Sequence, residues 1–313
     1  MRVSVLGVGS IGTLFAALLS RTEHEIHLHG RGEHMAMIAK NGICVTGEES
    51  FSVESQRFDL TFDEVGIPTH FENSADVVII AGKSRSLDKL CDLASKLLKV
   101  DGIAFAITNG LGNVERLCHQ LGMHRVVYAS TTHGANIASP SQVRWAGKGQ
   151  LHLANNVMSQ NEKLNIFNES LVGSGINCEI VEDGRSLIWN KVLINIAINP
   201  LAAMAGVENG ELLGAEMFAN AVFTMIEGAN VARAEQIDVG TNQQLENNLR
   251  QVLLSTSSNS CSMLEDVKAG ATTEISVLNR EIVNRGEKLG ISTPLNNMLA
   301  SIIELITPRP GLD

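Results

Sequence analysis

Val3-Ser4-Val5-Leu6-Gly7-Val8-Gly9-Ser10-Ile11-Gly12 runs a short apolar segment straight into a G-x-G-x-x-G, and Ile11–Ser20 continues as a helix with a small-residue face. Each glycine has a physical task in such a turn. Gly7 allows the sharp reversal, Gly9 lets the backbone approach a pyrophosphate, and Gly12 lets helix and strand pack closely. The free N–H groups and the dipole of the helix N-terminus then hold phosphate, so Gly7, Val8, Gly9, Ser10, Ile11 and Gly12 form a candidate dinucleotide loop.

The residues that follow keep the same alternation. Glu25–His29 and Asp76–Ile80 read as strands, Leu87–Leu98 and Asn113–Gln120 as amphipathic helices, and Gly102–Ile107, Arg125–Ser130 and Val143–Ala146 as further strands. Residues 42–62 alternate polar and apolar without a helical period and read as a β excursion. Strand–helix alternation of this kind builds a largely parallel sheet with helices on both faces. Beyond the polar turn Glu182-Asp183-Gly184-Arg185 long helical patterns take over: Ser186–Ala205, Ala215–Gln236, Gln243–Ser255, Thr273–Leu289 and Asn296–Ile306. The chain therefore divides into an α/β domain over 1–182 and an all-helical domain over 183–313, with Pro308–Gly311 as a frayed tail.

The 313 residues suit two domains, and 44% hydrophobic against 19% charged residues supplies their cores. A formal charge of -10 disfavours a nucleic-acid or anionic-membrane binder, so an anionic ligand must be held by local cations or helix N-termini. Five scattered cysteines without a CxxC pair exclude a disulfide framework or zinc cluster and suit a reducing cytoplasm; no metal is expected. Met1-Arg2 precedes only a brief apolar run, unlike a secretion signal, and no uninterrupted apolar stretch reaches membrane-span length.

The end of the second strand discriminates between dinucleotides, because an Asp or Glu there binds a ribose 2′-hydroxyl. Here it reads His29-Gly30-Arg31-Gly32, without a carboxylate, and Arg31 suits a 2′-phosphate, which favours NADP over NAD. Lys83 and the Thr108-Asn109-Gly110-Leu111-Gly112 loop follow later strands on the side where ligands gather. In the helical half, Lys191, Asn195 and Asn199 stand one helical turn apart on a stretch otherwise rich in Val, Leu, Ile and Ala. A surface helix carries a wider polar face, so this stripe reads as the lining of a polar cleft, with Lys191 a proton donor to a carbonyl oxygen.

These motifs, together with Thr132-His133-Gly134-Ala135, Asn199-Pro200-Leu201, Ser262-Met263-Leu264-x-Asp266-Val267 and Thr273-Glu274-Ile275, occur in the order found in the ketopantoate reductase family. The chain resembles that family along essentially its whole length. The resemblance implies an N-terminal Rossmann-type dinucleotide-binding domain, a helical C-terminal domain and a cleft between them. It further implies NADPH-dependent reduction of 2-dehydropantoate (ketopantoate) to pantoate, in pantothenate and coenzyme A synthesis. Lys191 matches the catalytic lysine, and Glu274 the acid that contacts the substrate hydroxyl and borders the cofactor. Asn195, Asn199, Asn209 and Ser262 match substrate positions, Asn109 lies where cofactor and substrate meet, and Arg31, Lys83 and Ala135 match cofactor contacts.

Without the resemblance Glu274 reads as a first-turn helix acid and Ser262 as an ordinary hydroxyl. Two positions depart from the family: Ser86 stands where a glutamine is common, and Cys261 where a serine is, the latter read as a buried small residue. Reduction of another 2-oxo acid, or a non-catalytic NADP-binding sensor, are the alternative readings. The partner implied is a small 2-oxo acid, with monomer and homodimer both left open.

Overall fold

The computed structural model describes residues 1–157 and 161–308; the tail reading for Arg309–Gly311 lies outside the described residues. In chain order the first half runs β1 (Arg2–Leu6), α1 (Ser10–Leu19), β2 (Glu25–Gly30), α2 (Gly32–Asn41), β3 (Ile43–Gly47), β4 (Phe51–Val53) and β5 (Phe58–Phe62). It continues through β6 (Ala75–Ile80), α3 (Leu87–Leu97), β7 (Leu98–Ala106), α4 (Asn113–Leu121), β8 (Val127–Thr131) and β9 (Gly134–Ser139). The half closes with β10 (Gln142–Gly147), β11 (Leu151–Asn155), α5 (Asn161–Gly173) and β12 (Cys178–Ile180).

Strands β5-β2-β1-β6-β7 form one wholly parallel sheet in that order. Both faces are buried, as parallel sheets require. Val77 and Ile79 of β6 join one core with Leu14, Phe15 and Leu18 of α1, while Val78 and Ile80 join another with Leu87, Leu90 and Ala94 of α3. This is the α/β, Rossmann-type domain that the alternation implied. The β excursion over 42–62 divides between two sheets. Strands β3 and β4 belong to a separate sheet, β4-β3-β10-β9, whereas β5 pairs with β2 at the edge of the parallel sheet.

The second half is helical: α6 (Gly184–Ala205), α7 (Ala215–Ala234), α8 (Asn242–Ser255), α9 (Ser262–Lys268), α10 (Asn279–Leu289) and α11 (Pro294–Ile306). Two compact units emerge, Met1–Thr108 with Gly112–Leu187, and Asn109–Leu111 with Ile188–Asp313. The two units meet along the chain inside α6, and three residues from the first half belong to the second unit. Helix α6 is long and apolar enough to cross a membrane by length and composition, but 61% of its most apolar window is buried inside the fold. Val192, Leu193, Ile196 and Ala197 pack there with residues of α7 and α8 in the core of the second unit.

One expected helix is corrected. Thr273–Leu289 is not continuous: Glu274 precedes a short 3-10 turn, Ile275–Val277, and α-helix begins only at Asn279. The cause is a tertiary bond, since the Val277 carbonyl accepts from the Leu111 amide at 2.9 Å instead of continuing a helical ladder. Glu274 is therefore not a first-turn acid of a long helix.

A buried polar chain runs through the first unit beneath the glycine loop. His27 contacts Ser4 Oγ at 3.1 Å and Thr61 Oγ1 at 2.8 Å, and His29 contacts Thr61 Oγ1 at 2.8 Å and Asp63 Oδ1 at 2.8 Å. The carboxylate only accepts, so with both rings neutral it fixes every donor in sequence: His29 Nε2–H to Asp63, Thr61 O–H to His29, His27 Nε2–H to Thr61, and Ser4 O–H to His27. Burial, then the neighbouring His29 and Arg2, push the His27 imidazolium down to about 3. Burial likewise takes His133 down to about 4.

Both rings bind protons more readily in the unfolded chain, so their contribution to stability is complete above pH 6.5 and is lost as pH falls toward 4 and below. Urea midpoints measured across this range should fall with falling pH, and His27→Gln should flatten the slope. An unchanged slope in that variant would assign the acid sensitivity to other groups.

Candidate active site

The glycine loop of the first unit divides the three glycines by task. Gly7 has φ +94°, and a Cβ there would stand 2.7 Å from the Gly82 amide nitrogen; one at Gly12 would meet the Gly7 carbonyl oxygen at 2.1 Å. These two are demanded by the protein's own packing. Gly9 is not: its φ is -76° and the nearest atom to an added Cβ, the Ala81 oxygen, is 4.0 Å away. The space above Gly9 is a cradle that a side chain would fill. Helix α1 begins at this point with no side-chain cap and no acidic residue in its first turn, the electrostatic condition that suits an anion at a helix N-terminus.

Arg31 follows β2 directly, exposed, with no hydrogen bond or ion pair among the described residues. A carboxylate that the strand-end reading did not find lies beside the end of β2, with the amide of the same residue on the Gly30 carbonyl at 3.0 Å. This is Asp63, which directly follows β5 and accepts from His29 and from Lys89 Nζ, each at 2.8 Å. Burial raises the Asp63 carboxyl, yet these hydrogen bonds outweigh it and hold it below the usual range. Asp63 is thus engaged within the fold. The period-2 pattern of Phe58–Phe62 was the available signal, and it was absorbed into the β excursion. Lys83 is exposed after β6, and Ser86 lies at the start of α3 with its amide on the Lys83 carbonyl at 2.8 Å. Ala135 lies half-buried on β9, opposite Trp145.

In the second unit the structure brings together Lys191, Glu274 and Asn109. Lys191 is half-buried on α6, flanked by the buried Val192 and Leu193. Burial takes its ammonium down from 10.5 to about 8, against the opposing pull of the Glu274 carboxylate. That carboxylate accepts from Asn109 Nδ2 at 2.8 Å. The Asn109 loop is pressed onto the Glu274 segment: Gly110 has φ +98°, and a Cβ on it would stand 2.6 Å from the Val277 carbonyl oxygen.

Asn195 is half-buried and Asn199 buried on the same stripe as Lys191. Cys261 is buried, caps α9 by accepting from the Leu264 amide at 3.4 Å, and directs its S–H at the Asn199 carbonyl, 3.6 Å away. Burial pushes its thiol up, so it is a packed, unreactive cap, as a buried small residue should be. Ser262 is exposed in the first turn of α9. Asn209 is buried in a 3-10 turn, its Nδ2 on Thr256 Oγ1 at 3.0 Å and its Oδ1 without a partner among the described residues. Thr273 Oγ1, beside Glu274, is also buried and has no hydrogen-bond partner among the described residues. Its position in the Thr-Glu-Ile motif was visible in the sequence, but nothing there assigned it a role.

A glycine-rich turn opening a helix on a parallel sheet, together with a desolvated lysine near a carboxylate, fits the class of dinucleotide-dependent oxidoreductases. Comparisons narrow the class. The family description "Ketopantoate reductase PanE/ApbA" matches residues 3–157, and "Ketopantoate reductase PanE/ApbA C terminal" matches residues 183–307. The 2-dehydropantoate 2-reductase of Pyrococcus horikoshii is 28% identical over 307 residues, covering 97% of each chain. That of Halobacterium salinarum is 29% identical over 317 residues, covering 97% of this chain and 98% of its own. Among solved structures, a ketopantoate reductase from Ralstonia eutropha superposes with a TM-score of 0.86 at 26% identity, over 98% of both chains. D-mandelate dehydrogenase with NADH and anilino(oxo)acetate reaches a TM-score of 0.89 over 98% of both chains at 22% identity, a likeness of fold. The chain belongs to the ketopantoate reductase family.

The division of labour among the glycines can be measured. Gly9→Ala should melt within about 2 °C of the parent while binding dinucleotide at least tenfold more weakly. Gly12→Ala should unfold or melt far lower, because strand and helix cannot separate without loss of the core. Equal melting losses in both variants would show that Gly9 is structural too.

Proposed function

We propose that this protein reduces 2-dehydropantoate to pantoate with NADPH, supplying pantothenate and coenzyme A synthesis, and that Lys191 is the general acid. The observation that carries the reading is the half-buried Lys191 ammonium faced by Glu274, on a helix whose other polar stripe residues are the neutral Asn195 and Asn199. The names of the relatives and the loop that accepts a pyrophosphate support it.

A nicotinamide dinucleotide, when bound, supplies the hydride. The residues of the chain do the rest. The α1 N-terminus and the open space at Gly9 receive the pyrophosphate, and Arg31 holds the 2′-phosphate, since Asp63 is engaged by His29 and Lys89 and no carboxylate ends β2. Lys83 and Ala135 are further cofactor contacts in this reading, and Asn109 contacts both cofactor and substrate. As the ketone carbon gains hydride, negative charge develops on its oxygen; the Lys191 ammonium stabilises that charge and transfers a proton from Nζ. Glu274 keeps Lys191 charged and accepts from the substrate hydroxyl, itself oriented by Asn109. Asn195, Asn199, Asn209 and Ser262 supply neutral hydrogen bonds that orient the substrate without repelling its carboxylate. The resulting amine on Lys191 is reprotonated from water.

Following NADPH oxidation with ketopantoate and with other 2-oxo acids tests the reading. Faster turnover of a different 2-oxo acid would replace the substrate, and tight NADPH binding with no turnover of any would replace the enzyme by a sensor.

Lys191→Ala should keep the fold and NADPH affinity and lose on the order of 10²-fold or more in rate; activity within a few-fold of the parent would move the acid to another group. Because the proton donor is the ammonium, reduction should be independent of pH below about 8 and fall as pH rises through it. Lys191→Arg should abolish that alkaline limb in the measurable range. Arg31→Ala should weaken NADPH by about 1.5–3 kcal/mol, the scale of a hydrogen bond to a charged group, and leave NADH nearly unchanged. Equal loss with both cofactors would place the 2′-phosphate elsewhere.

A further inference from the structure

Pro200 lies inside α6. A proline offers no N–H to the carbonyl four residues earlier, so the Ile196 carbonyl loses its helical donor in the middle of a buried helix. Asn279 fills the vacancy: its Nδ2 donates to the Ile196 oxygen at 3.1 Å. The same nitrogen donates to Asn296 Oδ1 at 3.0 Å, and Asn296 Nδ2 donates in turn to the Thr224 carbonyl at 3.0 Å and to Glu227 Oε2 at 2.9 Å. Both asparagines are fully buried. This network fixes the Asn279 amide, because turning it over would set its oxygen against the oxygens of Ile196 and Asn296.

The location of the bond matters as much as its existence. Ile196 adjoins Asn195 and lies on the helix that carries Lys191, while Asn279 opens α10 immediately after the non-helical segment that carries Glu274. That segment has no α-helical ladder of its own to hold it. We propose that Asn279 is a positioning residue of this active site: its amide replaces the N–H that Pro200 lacks, and in doing so ties the Lys191 helix to the segment bearing Glu274. An apolar residue of similar volume would fill the space but leave both the carbonyl and the tie unmade. Glu274 is the charged group that Lys191 senses, so a looser tie removes the carboxylate's support for the ammonium.

The catalytic readout rests on the reductase reading, so a second readout is independent of turnover. In Asn279→Leu, kcat for ketopantoate should fall about tenfold or more, as for a small misplacement of reacting groups, with NADPH affinity unchanged. The alkaline limb should move to lower pH. Competitive reductive methylation of Lys191 across the same pH range, read by mass spectrometry, should show the same downward move. Asn279→Leu combined with Pro200→Ala guards against simple unfolding. Residue 200 then regains a backbone N–H for the Ile196 carbonyl, so melting should recover while the pH limb and the methylation midpoint stay displaced. Parental midpoints in either folded variant would overturn the proposal and make Asn279 a packing residue. A parent that methylates at Lys191 with a midpoint near 8 but does not reduce ketopantoate would overturn the substrate reading, and the methylation arm would still decide the role of Asn279.

Discussion

An ammonium on an apolar helix is the constraint on which the second unit depends. Burial favours the neutral amine at Lys191, and the Glu274 carboxylate opposes it. That carboxylate stands just before the 3-10 turn that interrupts the helical pattern between Thr273 and Asn279. The break is held by the Asn109 and Leu111 bonds, so a loop far away in the sequence determines where Glu274 stands. Val192, Leu193, Ile196, Ala197 and Ile198 of α6 are consumed by the core, and Lys191, Asn195 and Asn199 are the polar residues interleaved with them.

The first unit solves a different problem, that of bringing an anion to an acidic protein. Its solution is geometric, since helix α1 can start against β1 only because Gly12 lacks a side chain. Below the loop, the polar side chains of β2 are satisfied by a directed chain that ends on Asp63. That ending also leaves Asp63 engaged within the fold beside the tip of β2, by His29 and by Lys89.

Much of this was legible in the sequence where burial is one-sided or complete. β1 and β6 are nearly all buried, and their β-branched runs announce them. Helix α2 escaped notice because only Met35 and Ile38 are buried in it, too few to set a period. Strand β9 is largely exposed and so lacks alternation, and α9 is too short to display one. The helix expected over Thr273–Leu289 has good local character, but a bond from Leu111 overrides its start. At the site, the spacing of Lys191, Asn195 and Asn199 showed the stripe. The contact between Asn109 and Glu274 joins residues far apart in the chain, and no local pattern encodes it.

The assignment of Asn109–Leu111 to the second unit has a consequence for how the chain can be divided. Leu111 is part of the core of that unit and Asn109 holds its acid, although both are made long before the rest of it. A fragment beginning at Gly184 would carry α6 to α11 yet lack a core residue, Leu111, and the Asn109 partner of Glu274. The boundary in space is thus not a boundary in the gene. A chimaera that exchanges the helical halves of two relatives must move this tripeptide with them, or it will inherit a carboxylate without the residue that orients it.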